Sequence, residues 1–379
     1  MDIIKRNPIK FGIVLVVFII INIVGWYLLI TWNRPLAEPL DLPTLTPVVE
    51  STPEEPTETP TKVVEEEATE EPEITLIPTA TFTQEPTPTS KPICDGPEYM
   101  NILLTGVAAE SYLYGLADAI RVVRVDFRTQ KITVLSLPRD LWVDIPISVP
   151  NKTYGMTPGK LNQAYFYGTE GMGYYSGAGQ GSGSLAETLQ DNFGLHIDHY
   201  ISANLFSFRS IIDNLGGINV CLAEPVLKKK TDYYSGMEFP VHYLNAGCQT
   251  LTGEQAEFVV RQRINIGDSG RVLRQTVVLK ALAAKLLTPA GLQALPEIIE
   301  RLKTYVLLDL SPAEINQLLC LAGKIDRETD IVYATIPEDM LQAGWQIDEV
   351  RGGVYTYVYN IDKAQMQALM VDFQQGIWP

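Results

Sequence analysis

From about residue 100 onward, hydrophobic and polar positions follow two periods, one typical of strands and one typical of helices. Short β-branched runs bounded by turn residues predict strands over 101–107, 119–127 and 131–137, and the short connection between the last two favours a hairpin. The other patterned segments are predicted as strands over 199–203, 217–226 and 329–337, and as helices over 184–194, 204–217, 252–261, 270–287, 290–303, 311–325 and 362–375. Strands that alternate with helices predict an α/β fold, with a mixed β-sheet sandwiched by helices.

Two of the helices carry end signals. Ser184 and Glu187 have the spacing of a capping box, and Gly194 is a typical helix stop. Asp268 or Ser269 is expected to cap the helix over 270–287.

The chain begins with a segment whose pattern belongs to neither period. Residues 11–32 carry no charge and have the length of roughly 20 residues that a membrane-spanning helix needs. A cleaved signal peptide is the alternative, but its apolar run would be shorter and followed by small residues. Basic residues are concentrated before this span, so residues 1–10 are predicted to be a cytoplasmic tail. A retained, single-pass anchor in the cell membrane would then place the C-terminal domain outside the cell.

Residues 33–93 are rich in Pro, Thr and Glu and are predicted to be a disordered linker. This segment holds thirteen acidic residues against three basic ones, so it contributes −10 to the formal net charge of −16. The acidity of the chain is therefore mainly a property of the linker. Residues 94–290 are assigned to a domain that carries the candidate chemistry, and residues 291–379 to an α/β extension packed on it.

An even number of cysteines in an exported domain permits disulfide bonds. Of the three pairings that four cysteines allow, Cys221–Cys248 together with Cys94–Cys320 is favoured, because the first pair would close a loop between two predicted strands. Buried free thiols are the alternative.

Arginines are concentrated in the segment VVRQRINIGDSGRVLRQ. Arg271, Arg274 and Gln275 lie in the first turn of a helix that continues almost entirely apolar, while Arg261 and Arg263 precede it and share a face if their segment is extended. Guanidinium groups beside the free N–H groups of a helix start predict a site for a polyanion, phosphate above all. A solvated basic face is the alternative.

Three further groups fit such a site. Arg139 and Asp140 lie just after a predicted strand, where α/β sheets place ligand-binding residues. Asp118 precedes another strand and is either a turn residue or a functional acid. Lys160 offers a further cation, and Asn162 offers an amide.

The glycine-rich segment 177–184 lacks the ending of a P-loop and reads as a connector, a helix entry or part of the site. The sequence also has no G-x-S-x-G and no H-E-x-x-H motif. Electrostatic and metal-assisted phosphoryl chemistry therefore suits these residues best.

Several segments occur together in the order found in the LytR-CpsA-Psr family of cell-envelope proteins, which the chain resembles over roughly residues 100–280. The matching segments are NILLTG, LADAIRVVRVDFRTQKITVLSLPRDLWVDIP, KLNQAYFYG, ISANLFSFRSIIDNLGGINVCL, LNAGCQTLTGEQAEFVVRQR and DSGRVLRQ. The resemblance implies an enzyme that takes a glycopolymer from a polyprenyl-pyrophosphate carrier and joins it to peptidoglycan through a phosphodiester.

The resemblance also implies roles for individual residues. The pyrophosphate would be held by Arg139, Arg261, Arg263 and Arg271, with support from Lys160 and Gln275. Asp118 and Asp268 would hold Mg²⁺ or orient the acceptor hydroxyl, and the catalytic set would be Asp118, Arg139, Arg261, Asp268 and Arg271. The expected partners are the lipid-linked glycan, peptidoglycan and the membrane, with no nucleic acid.

The chain departs from the family pattern in the segment that normally supplies acids. Family members usually carry an acid shortly after the glycine of the first strand, where this chain has Gly106-Val107-Ala108-Ala109. They usually show Arg-Ser-Asp-Thr where this chain has Leu116-Ala117-Asp118-Ala119. Arg121 or Arg124 would replace the missing arginine if its side chain pointed into the site.

Three functions follow as hypotheses. The leading one is a membrane-anchored glycopolymer–peptidoglycan phosphotransferase. A polyprenyl-(pyro)phosphate hydrolase is the second, and a non-catalytic module that binds lipid-linked envelope intermediates is the third.

Overall fold

A computed structural model of the chain describes residues 31–42, 91–147, 156–231, 238–264, 267–302 and 305–378. The strands in chain order are β1 (Tyr99–Val107), β2 (Ala117–Asp126), β3 (Lys131–Leu137), β4 (Trp142–Pro146), β5 (Met156–Lys160), β6 (His199–Asn204), β7 (Ile218–Leu222), β8 (Val226–Thr231), β9 (Glu238–Leu244), β10 (Gly247–Leu251), β11 (Val306–Leu308), β12 (Ile331–Thr335), β13 (Gln342–Asp348) and β14 (Val354–Asn360). The helices are α1 (Leu161–Tyr167), α2 (Gln180–Phe193), α3 (Leu205–Asn214), α4 (Gly253–Arg261), α5 (Gly267–Leu286), α6 (Pro289–Leu302), α7 (Pro312–Ala322) and α8 (Lys363–Gln374).

The central sheet has six strands in the order β11-β6-β1-β2-β3-β12. β1, β2 and β3 form an antiparallel meander, which confirms the hairpin predicted between β2 and β3. β6 is parallel to β1 and β12 is parallel to β3, whereas β11 is antiparallel to β6. The predicted mixed sheet is therefore confirmed. Its topology brings the carboxyl ends of β1, β3, β6 and β12 and the amino end of β2 to one edge.

Helices pack on both faces of this sheet. Successive residues of a strand point to opposite faces, so each central strand supplies side chains to two cores. Ile120 of β2 packs in a cluster with Leu185 of α2 and Met370 of α8. Val125 of the same strand belongs to a second cluster, which includes Leu321 of α7. Each such buried aliphatic side chain contributes about 1.5–3 kcal/mol to folding.

A smaller part of the fold is built on the β7–β10 pair. Val220 of β7 packs with Ile212 of α3, Ala256 of α4 and Val278 of α5. The strand predicted over 217–226 is interrupted: β7 ends at Leu222 and β8 begins at Val226, because Pro225 cannot donate to a strand ladder.

The cysteines pair as expected. The sulfur atoms of Cys221 and Cys248 lie 1.98 Å apart on directly opposed residues of β7 and β10, and those of Cys94 and Cys320 lie 2.11 Å apart. Both distances are those of disulfide bonds, and no free cysteine is found in the described residues.

The residues after 290 are part of the same compact unit as the residues before them. β11 forms one edge of the central sheet and β12 forms the other, so residues 291–379 complete the sheet instead of packing on it as an extension. The Cys94–Cys320 pair also joins the start of the domain to this region.

The first residues assigned to the linker lie against the domain. Leu40 packs on the main core and its N–H donates to Asp309 Oδ2 at 3.4 Å, while Tyr200 Oη donates to the Glu38 carbonyl at 2.9 Å. The apolar side chains of Ala37, Leu40 and Leu42 pack against the main core, and their burial stabilises this docking. Residues 43–90 lie outside the described residues.

Two helices begin earlier than their end signals predict. α2 begins at Gln180, so Ser184 and Glu187 lie inside it and form no capping box, although Gly194 ends it at φ +65° as predicted. α5 begins at Gly267, which places Asp268 and Ser269 in its first turn instead of at the cap. The β4–β5, β8–β9 and β13–β14 hairpins were not predicted.

The predicted anchor over 11–32 falls almost entirely outside the described residues, as does the tail 1–10. Within the described residues, no single helix has the length and apolarity to cross a membrane, and only the pair Gly270–Leu286 and Pro289–Leu302, bent by 98°, meets that test together.

Candidate active site

A β-bulge places Asp118 at the sheet edge where β1, β3 and β6 end. Gly106 of β1 pairs with Ala119 and Val107 pairs with Ala117, so Asp118 is the extra residue on β2. Bulges redirect a side chain and are common next to active sites. The carboxylate of Asp118 thereby comes close to the residues that follow β3.

Five charged side chains form a continuous network at this edge. Lys160 Nζ lies 2.8 Å from Asp140 Oδ1, and Asp140 Oδ2 lies 3.3 Å from Arg139 Nε. Arg139 Nη1 donates to Asp118 Oδ1 at 2.5 Å, and Asp118 Oδ2 lies 3.9 Å from Arg271 Nη1. Three cations alternate with two carboxylates, so the network carries a formal charge of +1.

Arg271 is the fifth residue of α5, one turn after the helix start and not in the predicted first turn, and it is only 2% exposed. A buried guanidinium needs a compensating acceptor. Its Nη1 donates to the backbone carbonyl of Asp118 at 3.2 Å, in addition to lying near the carboxylate. Asp118 therefore holds the buried guanidinium with both its backbone and its side chain.

Lys160 and Asn162 reach the network from the start of α1. Lys160 is the N-cap residue of α1, and its backbone N–H donates to Gln163 Oε1 at 2.5 Å. Asn162 Nδ2 donates to Asp118 Oδ1 at 3.4 Å, whereas Asn162 Oδ1 has no hydrogen-bond partner among the described residues although Asn162 is only 4% exposed. A buried acceptor without a partner next to a functional carboxylate is suited to accept a hydrogen bond from a ligand hydroxyl.

The other predicted site residues have different surroundings. Gln275 Nε2 donates to the Val260 carbonyl at 3.5 Å and connects α5 to α4. Arg261 is the last residue of α4 and is 57% exposed, and it pairs with Glu257 one turn earlier at 2.6 Å. Arg263 is exposed, and its backbone N–H donates to Gln262 Oε1. Because α4 continues to Arg261, the two arginines do not lie on one extended segment.

Two other arginines were candidates to replace the missing one. Arg121 is buried and donates to Thr276 Oγ1 of α5 at 3.3 Å, and burial lowers the pKa of Arg121 to about 10. Arg124 pairs with Asp126 at 2.9 Å and donates to the Gln374 carbonyl, away from Asp118. Arg121 is therefore the one that faces the helix carrying Arg271.

The glycine-rich segment packs one helix tightly against another. A Cβ on Gly181 would lie 2.7 Å from the Tyr165 carbonyl, and a Cβ on Gly168 would lie 2.5 Å from the Ser184 Cβ. Only glycine allows α1 and α2 to approach this closely. The segment is thus a helix entry of α2 with a packing role.

The described donors around Asp118 do not by themselves make a magnesium site. The Asp118 carboxylate is already shared between Arg139 and Arg271, and over the described part of the chain no three His, Cys, Asp or Glu side chains are placed to hold a metal ion. The side chain of the other predicted ligand, Asp268, lies outside what the structure describes. Mg²⁺ stays a prediction.

The fold brings together Asp118, Arg139, Lys160 and Arg271, as the sequence predicts. Asp140, beside Arg139, is a candidate ligand group in the sequence but is not included in the predicted site. Asp140 joins Lys160 to Arg139, and the signal for it was its position directly after Arg139 behind a strand.

The fold and this network together define a class of protein: an α/β domain with a buried cationic cluster, balanced by carboxylates, at the carboxyl ends of its central strands. Such clusters bind phosphate-bearing ligands. The chain belongs to the LytR_cpsA_psr family, whose family model matches residues 61–372.

Individual relatives agree with this assignment. The polyisoprenyl-teichoic acid–peptidoglycan teichoic acid transferase TagU of Oceanobacillus iheyensis is 30% identical over 223 residues, which make up 58% of this chain and 62% of the relative. The matched region thus spans less than two thirds of that relative. TagV of B. subtilis has a TM-score of 0.54 at 22% identity, covering 74% of this chain and 99% of its own. TagT bound to LIIa-WTA has a TM-score of 0.52 at 20% identity, covering 74% and 91%. These two structures share the fold.

Proposed function

We propose that this chain is an extracytoplasmic phosphotransferase that moves a glycopolymer from a polyprenyl-pyrophosphate carrier onto peptidoglycan through a phosphodiester. The observation that carries the proposal is the network in which Lys160, Arg139 and Arg271 alternate with Asp140 and Asp118 at the sheet edge. The name of the Oceanobacillus relative states a transfer of this kind, and TagT is bound to LIIa-WTA.

The cations of the network bind the pyrophosphate of the donor. Arg139 and Arg271 both contact Asp118 in the structure, and their guanidinium groups can exchange that carboxylate for phosphate oxygens. Lys160 stays next to Asp140 and adds a point charge. Positive groups that are already in place stabilise the charge that develops on the leaving phosphate without reorganisation.

Asp118 accepts the proton of the acceptor. Once its arginine partners turn to phosphate, its carboxylate is available to a sugar hydroxyl, and Asn162 Oδ1 offers a second acceptor beside it. The hydroxyl oxygen attacks the phosphorus that bears the glycopolymer, and the phosphoanhydride bond to the carrier breaks. The products are the phosphodiester and polyprenyl phosphate, and the proton moves to Asp118.

The membrane anchor over 11–32 and the outside location of the domain are part of this proposal, because the lipid carrier is presented at the membrane surface. Residues 36–42 would hold the domain near the end of the anchor, since Leu36 N–H donates to the Leu310 carbonyl at 3.3 Å and Leu40 packs on the core.

The test uses the full chain in lipid nanodiscs with a polyprenyl-pyrophosphate oligosaccharide, with and without peptidoglycan. We expect product joined to peptidoglycan and no release of oligosaccharide phosphate without it. Release in the absence of acceptor would show a hydrolase instead. Tight binding of the donor without turnover under both conditions would show a non-catalytic binding module.

A further inference from the structure

The β13–β14 hairpin exposes aromatic side chains on the face that points to solvent. In a hairpin with one buried face, the pattern normally places apolar residues inside and polar residues outside. Here the inward positions hold the polar residues Gln346, Asp348 and Thr356 beside the buried Val358, whereas the outward positions of the same strands are aromatic or aliphatic. The side chains that we call the aromatic face are Trp345, Ile347, Tyr355, Tyr357 and Tyr359. The first four are exposed, whereas Tyr359 is partly buried against the main core.

The rings of this face form an open platform. Trp345 is 59% exposed and Tyr355 is 65% exposed, and their rings stack at a centroid distance of 6.0 Å with an angle of 15° between planes. Tyr357 meets Trp345 edge-on at 5.9 Å, and Tyr359 meets Tyr357 at 5.5 Å. An exposed apolar patch of this kind on a folded domain marks an interaction surface.

The aromatic face is continuous with the candidate active site. Tyr359 N–H donates to the Asp140 carbonyl at 2.9 Å, next to an isolated bridge between Tyr359 and Leu141. At the other end of the hairpin, Asp348 Oδ2 accepts from Gln163 Nε2 at 2.6 Å. Tyr355 lies four positions before Tyr359 on the same strand. At about 3.3 Å per strand residue, the face therefore extends roughly 13 Å away from Asp140.

The chemistry of the face selects an uncharged, ring-shaped ligand. Its outward positions carry no Asp, Glu, Lys or Arg, so it has no charge to offer to phosphates or to anionic lipid headgroups. Pyranose sugars present flat C–H faces, which pack against the negative face of aromatic rings, while tyrosine hydroxyls at the ring edges serve the sugar hydroxyls.

We propose that the aromatic face binds neutral sugar rings of the acceptor glycan and directs the strand toward Asp118. The proposal rests on the proposed function for the identity of the glycan. It makes the hairpin an acceptor subsite, separate from the cations that hold the donor. The donor glycan, a second copy of this chain and the membrane are the other occupants that the test distinguishes.

The first measurement is direct binding to the full chain in nanodiscs. The probe is chitotetraose, a neutral oligosaccharide of N-acetylglucosamine, and its binding is measured by calorimetry. We expect W345A/Y355A to weaken its affinity about tenfold or more, because two stacking rings are lost. W345F/Y355F keeps both rings and is expected to restore binding. F206A/Y305A removes another exposed ring pair, with centroids 4.5 Å apart, and is expected to change nothing.

Transfer kinetics separate this proposal from the proposed function. With a soluble peptidoglycan oligosaccharide as acceptor, W345A/Y355A is expected to raise the KM for acceptor about tenfold while kcat and donor affinity stay unchanged. Unchanged chitotetraose affinity and acceptor KM in a chain that still transfers would overturn the acceptor subsite and leave the proposed function standing. If the chain binds chitotetraose through these rings but catalyses no transfer, the proposed function would be overturned and the sugar-binding face would stand. A raised KM for donor alone would assign the face to the donor glycan and overturn the proposal.

Two further readouts decide against the remaining occupants. Quenching of Trp345 fluorescence by brominated lipids, measured as the difference between wild type and W345F, would place the face on the membrane. Loss of a dimer in W345A/Y355A by sedimentation, with chitotetraose affinity unchanged, would make the face an interface between copies. Either result would overturn the proposal, and we expect neither.

Discussion

Asp118 accepts a hydrogen bond from Arg139 at 2.5 Å, Nη1 to Oδ1, across the edge where β2 begins and β3 ends. The two residues are twenty-one positions apart, and the bulge in β2 brings them together. This pair connects the cations proposed to bind the donor to the carboxylate proposed to act on the acceptor. Changing Asp118 is therefore expected to separate donor binding from turnover.

Asp118→Asn is expected to lower the transfer rate at least about a hundredfold, the low end for loss of a general base. Donor affinity should not fall, because the arginines lose a competing carboxylate. Steady-state kinetics with separate donor titrations check both parts. Asp144→Asn is the matched control, since Asp144 is a half-exposed carboxylate paired with Lys363 at 2.8 Å. Equal rates in the two variants would reject the role of Asp118.

Arg271→Ala is expected to weaken binding of geranyl pyrophosphate by at least about 1.5 kcal/mol, the low end for a hydrogen bond to a charged group. Calorimetry on the full chain measures it, and thermal unfolding checks that the variant folds. Arg301→Ala is the control, because Arg301 pairs with Glu297 on an exposed helix face. If the two variants bind equally well, Arg271 does not hold the pyrophosphate.

Gly168→Ala is expected to lower the free energy of unfolding by about 1–3 kcal/mol, the usual cost of overpacking. The new Cβ would lie 2.5 Å from Ser184 Cβ and 2.8 Å from the Gln180 carbonyl. Gly323→Ala is the matched control, because Gly168 and Gly323 are both helix C-cap residues at negative φ. A Cβ on Gly323 would meet nothing closer than 3.6 Å. Urea unfolding should separate them; equal stabilities would contradict the close helix approach.

His199 is expected to make stability depend on pH. Burial by itself lowers the pKa of His199, but Asp309, whose Oδ1 lies 3.5 Å from His199 Nδ1, raises the pKa above the ordinary value together with Glu314 and Asp198. A histidine whose pKa is raised in the folded state stabilises the fold. This stabilisation is fully present below the unfolded-state pKa and is lost as the pH rises through the folded-state pKa.

The wild-type unfolding midpoint should therefore decrease as the pH rises from about 6 to 8. In His199→Asn the same rise in pH should decrease it less. His196, whose pKa is raised by its hydrogen bond to Asp198, adds a slope of the same sign. His196→Asn is thus the control that must retain the part due to His199. An identical slope in wild type and His199→Asn would reject this origin.

Removal of either disulfide is expected to cost about 2–5 kcal/mol. The Cys94–Cys320 pair spans 226 residues and the Cys221–Cys248 pair spans 27, so the loop-length effect predicts a loss about 2 kcal/mol larger for the first. Unfolding of the two Cys-to-Ser double variants under non-reducing conditions measures the difference. A larger loss from Cys221–Cys248 would contradict this order.

Local sequence signals predicted the elements whose patterns agree with their surroundings. β1, β2 and β3 were recognised because β-branched runs are bounded by turns. α2 was predicted to begin too late, because Gly-Ser-Gly-Ser is typical of a loop and only packing against Tyr165 makes it helical. β13 and β14 were missed although apolar residues occupy every second position of β13, and this alternation alone would have assigned Trp345 and Ile347 to the buried face instead of the exposed one.

The sequence by itself determined the α/β pattern, the expected cysteine pairs and the presence of a cationic segment outside the acidic linker, since these follow from local periodicity, residue counts and covalent chemistry. Only the tertiary structure decided which charges meet. Arg271 reaches Asp118 because α5 starts next to the bulge in β2, whereas Arg261 pairs with Glu257 because α4 continues to that residue. Contacts between residues distant along the chain depend on strand order and helix ends, and spacing in the sequence does not encode them.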